Sequence, residues 1–112
     1  MDVVNRGLLL VVPRQPYLDW ANGLEHHGPD FHLDEGMPAA YLIPQFGTLE
    51  EVDEFVEGVH GSIFEEELVA WTEDREVWPE PRDLERFYEW FSVEYTDLVA
   101  DLAGEPLRVE SV

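Results

Sequence analysis

The chain has 112 residues, no cysteine, and 26 Asp and Glu against six basic residues, for a formal net charge of −20. A field of that sign repels phosphate backbones and anionic lipid surfaces, so direct binding of nucleic acid or membranes is not expected. The lack of cysteine removes disulfides, thiolate nucleophiles and thiolate zinc sites, and fits a reducing compartment.

Gly7 to Val12 is apolar without a polar alternate and rich in Leu and Val, the pattern of a strand buried on both faces. Pro13 ends it, and Pro16 suits the first residue of a helix, where its missing N–H costs nothing. Tyr17, Trp20, Ala21 and Leu24 fall on one helical stripe, so Pro16 to about Glu25 reads as a short amphipathic helix with Asp19 pointing away. The stretch from Glu25 to Pro38 has no periodicity and reads as a long loop. Ala39 to Ile43 is a second strand, closed by Pro44.

Thr48 and Glu51 form a capping box, followed by Val52, Phe55, Val56 and Val59 at helical spacing. Ser62 and Glu65 form a second one, ahead of Phe64, Leu68 and Trp71. With Gly58 and Gly61 between them, the pattern predicts two helices broken near His60 and Gly61. Thr72 to Arg82 reads as a loop, and Asp83 as the cap of a helix carrying Leu84, Phe87, Tyr88 and Phe91. From Ser92 the chain is β-prone, with Val93 and Tyr95 alternating with Glu94 and Thr96 and an apolar stretch from Leu98 to Leu102. After a turn at Ala103 to Glu105, Leu107 to Val112 can return as an edge strand, where Pro106 is tolerated.

The expected fold class is therefore α+β, a single domain over residues 1–112. A small mixed sheet of three to four strands packs about four helices on one face, in the order β-α-β-α-α-α-β(-β). Four Trp, four Tyr and six Phe supply a core that disordered acidic chains lack. The start, Met1 to Arg6, with only a short apolar run after it, is poor as a signal peptide, and no run approaches the ~18 apolar residues of a membrane span. The expected location is cytoplasmic.

All six basic residues are Arg, and Lys is absent. In molar salt the Debye length falls to about 3 Å and carboxylate repulsion is screened. Adaptation to high salt accounts for the missing Lys better than a decoy for a basic partner, which has no reason to prefer Arg over Lys, or plain solubility.

The string Val11 to Trp20, with Tyr41 to Pro44, Phe64 to Leu68, Trp71, Trp78-Pro79, Arg82 and Phe87 to Phe91, resembles a group of short acidic bacterial proteins with no assigned activity. The resemblance spans about Leu8 to Leu102 and implies a compact domain; it supplies no catalytic residues.

No phosphate-cradling glycine loop, dinucleotide fingerprint or nucleophile elbow is present. The carboxylate runs Glu65 to Glu67, Glu50-Glu51 and Asp53-Glu54 read as first-turn residues favoured at the positive helix end, plus solvated faces. Arg14, Gln15, Asp19 and Trp20 cluster after the first strand, and Trp78, Arg82 and Trp90 later. Arg suits bidentate recognition of anions and stacking on indole, so a groove lined by Arg14, Gln15, Asp19, Trp20, Trp78 and Arg82 is the candidate site for a small anionic ligand or peptide. Trp90 lies off its helix stripe and is a candidate contact for a homodimer or protein partner.

The leading functional expectation is a non-catalytic interaction or small-ligand-binding module with no cofactor. The alternative is a carboxylate- or metal-dependent enzyme using the loop from His26 to Glu35, with His26, His27, Asp30 and His32 as metal ligands. His60 joins that set only if the chain folds it back; otherwise it ends a helix, where an imidazolium suits the dipole.

Overall fold

The computed structural model describes residues 1–24 and 36–111. Two short strands, β1 (Asp2–Val3) and β2 (Gly7–Pro13), lead into helix α1 (Gln15–Asn22). Strand β3 (Ala39–Ile43), the long helix α2 (Leu49–Val69) and a 3-10 turn at Arg75–Val77 follow. Helix α3 (Leu84–Trp90) runs directly into β4 (Phe91–Thr96), and β5 (Ala100–Asp101) is the last strand.

The α+β class holds. The sheet is not mixed, however: the strands form two small antiparallel sheets, β3-β2-β4 and β1-β5. In the larger one, Leu9 lies opposite Tyr41 and Tyr95, and Val11 opposite Ala39 and Val93. Since side chains alternate along a strand, this register gathers Leu9, Val11, Ile43 and Phe91 on one face. All three helices pack there: Tyr17 and Leu18 from α1, Val52, Val56, Ile63, Phe64 and Leu68 from α2, and Phe87 from α3 complete the core with Trp78. Phe64 sits at its centre, edge-on to Phe87 and Phe91 and tilted against Trp90.

β2 is not buried on both faces. Leu8, Leu10 and Val12 are only half-buried, beside Leu42 at 55% exposure and the exposed Ser92, Glu94 and Thr96. An antiparallel sheet can keep one face toward water, and an all-apolar strand does not reveal that choice in its own sequence. Gly7 meets a steric demand: a Cβ there would lie 2.7 Å from the Tyr95 ring, whose hydroxyl accepts the Phe46 N–H at 3.1 Å.

The expected break at His60 does not occur, and among the described residues three helices stand in place of about four. Thr48 caps α2 as expected, its Oγ1 accepting the Glu51 N–H at 3.2 Å. The Ser62 capping box is unused, because Ser62 is an exposed residue inside the same helix. Two glycines cost roughly 0.5–1 kcal/mol each in a helix. Burying Val52, Val56, Ile63, Phe64 and Leu68 along one continuous stripe outweighs that, at about 1.5–3 kcal/mol for each large apolar side chain. His60 therefore lies mid-helix, its Nδ1 donating to the Glu57 carbonyl at 2.7 Å and its ring 6.0 Å from Phe87. Asp83 caps α3 as expected, accepting the Arg86 N–H at 2.9 Å.

At the C-terminal side the expected return strand from Leu107 is absent; residues 106–111 carry no regular structure, and β5 pairs with β1 instead. Leu98 and Leu102 stay exposed at 66% and 83%. A pair of two-residue strands has too few side chains to leave a pattern in the sequence.

Candidate functional site

Each polar side chain expected to line an anion groove is engaged within the chain. Arg14 donates from Nη1 to the Tyr88 carbonyl at 2.8 Å, and Gln15 donates to Asp19 at 2.8 Å. Trp20 donates its indole N–H to the Val77 carbonyl at 2.8 Å, which ties α1 to the 3-10 turn, and its ring lies 6.1 Å from Trp90. Trp78 is buried and donates to the Thr72 carbonyl at 3.0 Å. Arg82 lies 5.5 Å from the Trp78 ring, pairs with Glu80 at 2.6 Å and approaches Glu65 at 3.8 Å. Arg75 lies 4.6 Å from the same ring and pairs with Glu65 at 3.0 Å. These two cations clip the segment around Trp78 onto α2. Thus Trp20 meets the turn that precedes Trp78, and Trp78 meets Arg82, but among the described residues no hydrogen bond or ion pair joins the Arg14 group to Arg82.

Trp90 is half-buried, with its ring 5.5 Å from Phe64 and 6.2 Å from Tyr17. His26, His27, Asp30 and His32 lie outside the described residues. Among the described residues no three His, Asp or Glu side chains gather to hold a metal ion, and no helix is long and apolar enough to cross a membrane.

A different site emerges at the C-terminal end of α2. A cavity of about 320 Å³ is lined by Pro13, Tyr17, Gly36, Met37, Glu67, Ala70 and Trp71. Tyr17 reaches it from α1 and Glu67 from α2, and Tyr41 of β3, outside the lining, bonds Glu67. Tyr17 donates its hydroxyl proton to the Glu67 carbonyl at 2.7 Å, and Trp71 hydrogen-bonds the Tyr17 oxygen in turn. Tyr41 donates to Glu67 Oε1 at 3.2 Å. Gly36 closes one wall so tightly that a Cβ there would lie 2.6 Å from Pro13 Cγ.

The Glu67 carboxyl is half-buried, and burial pushes its pKa above the ordinary value of 4.5; the Tyr41 hydrogen bond pulls the other way, and nearby Glu66 adds to the rise. Tyr17 and Tyr41 are raised well above the ordinary phenol value, first by burial and then by the charge on Glu67. At neutral pH both phenols are protonated donors. Among the described residues no basic side chain pairs with Glu67, and its Oε2 has no hydrogen-bond partner. A carboxyl in a concave site, desolvated and without a cation, is the kind of group that marks binding and catalytic sites.

Sequence reasoning placed Glu67 among solvated first-turn carboxylates, because it assumed a helix starting at Ser62. In one continuous helix the signal is legible: Glu67 follows Ile63 by four residues and precedes Trp71 by four, so it lies on the apolar stripe.

The fold and cavity together define a small antiparallel α+β protein with an acidic, aromatic-walled pocket beside α2. No protein-family model, curated protein or solved structure matches the chain.

Proposed function

We propose that the protein is a non-catalytic module that binds a small ligand in the cavity beside Glu67, with its acidic coat adapted to high salt. The observation that carries the binding reading is the Glu67 carboxyl, half-buried on a cavity wall, held by Tyr41 and, among the described residues, left with an open acceptor. The cost of desolvating a carboxylate without a cation is hard to account for by stability alone. A ligand that completes the site offsets it. Binding is favoured over catalysis because the surrounding hydroxyl protons are already committed: Tyr17 and Tyr41 both donate to Glu67.

The test is a screen of small cationic, anionic and neutral fragments against the 15N-labelled full chain by amide shift mapping. Hits should cluster on Met37, Glu67, Ala70 and Trp71, and bound fragments should be recovered chemically unchanged. Failure of every fragment class to move these amides would remove the reading, and a converted fragment would replace it with an enzyme.

The salt reading is supported by the charge balance of −20 and by the burial pattern, since no charged side chain is buried among the described residues. The melting temperature should rise markedly from low to molar KCl. A flat response rejects it.

A further inference from the structure

We propose that the Glu67 cavity selects a small free alkylammonium ion. This rests on the small-ligand reading above and names the ligand class. Among the described residues the cavity lining holds two side chains able to donate, Tyr17 and Trp71. Both are spent: Tyr17 on the Glu67 carbonyl, and Trp71 on the Tyr17 oxygen. Tyr41, just behind, is spent on Glu67 Oε1. Among the described residues an anionic ligand therefore meets no free side-chain donor and faces a carboxylate with Glu66 beside it.

A ligand that donates meets the reverse. Among the described residues Glu67 Oε2 is an open acceptor, and an ammonium carries three donors and a compensating charge. The Tyr17 and Trp71 rings on the same wall add attraction for a cation. The other described lining residues, Pro13, Gly36, Met37 and Ala70, are apolar. That surface suits an alkyl stem and gives nothing to the water shell of a metal cation, which favours an organic cation over K⁺ or Na⁺. The formal charge of −20 raises the local concentration of any cation at the mouth.

The experiment compares n-butylammonium, n-butyrate and n-butanol on the full-length protein at neutral pH and low salt, read by amide shifts. n-Butylammonium should shift Met37, Glu67, Ala70 and Trp71 saturably, and n-butyrate should not. Glu67→Gln keeps an acceptor for Tyr41 and removes the charge, so it should weaken n-butylammonium about tenfold or more while leaving n-butanol unchanged. Preference for n-butyrate, or equal binding of n-butylammonium to Glu67→Gln, would overturn the ammonium assignment. If n-butanol occupies the cavity and n-butylammonium gains nothing over it, the ligand class falls and the cavity reading stands. If none of the three probes shifts these amides, the ammonium assignment falls here, while the cavity reading rests on the wider fragment screen.

Discussion

Replacing Gly58 and Gly61 by alanine, singly and together, should stabilise the protein. Both lie inside α2, and neither has a heavy atom within 4 Å of the position a Cβ would take. No described glycine has a positive φ, so alanine adopts the same backbone without strain. What remains is the entropy that glycine loses in a helix, roughly 0.5–1 kcal/mol per site relative to alanine. The double variant should gain about 1–2 kcal/mol if the sites are independent. At roughly 4–8 °C per kcal/mol for a domain near this size, the gain is about 4–16 °C in melting temperature. Thermal denaturation followed by circular dichroism measures it, and hydrogen exchange gives a second readout. Amides from Gly61 to Glu65 should be protected as helix interior, not exchanging as the orphan donors of a fresh N-terminus. If the chain broke after His60 with Gly61 as a left-handed cap, Gly61→Ala would cost about 1 kcal/mol or more. A lowered melting temperature with fast exchange from Gly61 to Glu65 would refute the continuous helix.

Three further outcomes follow from the same packing. Glu67→Gln should raise the melting temperature at neutral pH: a carboxyl with a raised folded pKa stabilises fully only below its unfolded value of 4.5, and loses that as pH rises through the folded value. The advantage should shrink toward zero below that value, and an advantage that grows in acid would contradict the sign. In alkaline titration followed by phenolate absorbance, Tyr17 and Tyr41 should ionise only as the protein unfolds, because both are raised far above the ordinary value of 10.0; ionisation of either in the folded chain near that value would show it to be solvated. Gly7→Ala should destabilise by about 1–3 kcal/mol, the usual cost of overpacking, because the new methyl group meets the Tyr95 ring at 2.7 Å; an unchanged denaturation midpoint would mean that the ring is free to move away.

Much of the fold was legible because local chemistry and tertiary structure agree. Thr48 and Asp83 cap the helices that their spacing implied, and Ala39–Ile43 is the strand its composition implied. The errors arose where local signals compete with packing. Ser62 and Glu65 make a valid capping box, yet the stripe from Val52 to Leu68 keeps one helix intact across it. β2 reads as buried on both sides because Leu8, Leu10 and Val12 are apolar, although the helices cover one face only. The pairing of β1 with β5 joins residues a whole chain apart, which no window of sequence can show. The site was hidden by the same false break. Once α2 is continuous, Glu67 falls between Ile63 and Trp71 on the helix face turned toward Tyr17 and Tyr41. The rarity of cations in the chain drew attention to Arg14 and Arg82; Arg14 bonds the Tyr88 carbonyl and Arg82 pairs with Glu80.

At the centre of the account is a half-buried carboxyl on a cavity wall, without a cation among the described residues, that receives one from solution. Titration of the Glu67 carboxyl carbon by NMR, assigned by comparison with Glu67→Gln, tests it most directly. The midpoint should lie above 4.5 in the free protein and fall when n-butylammonium is added. A midpoint at or below 4.5, unmoved by the amine, would contradict both the burial and the role assigned to it.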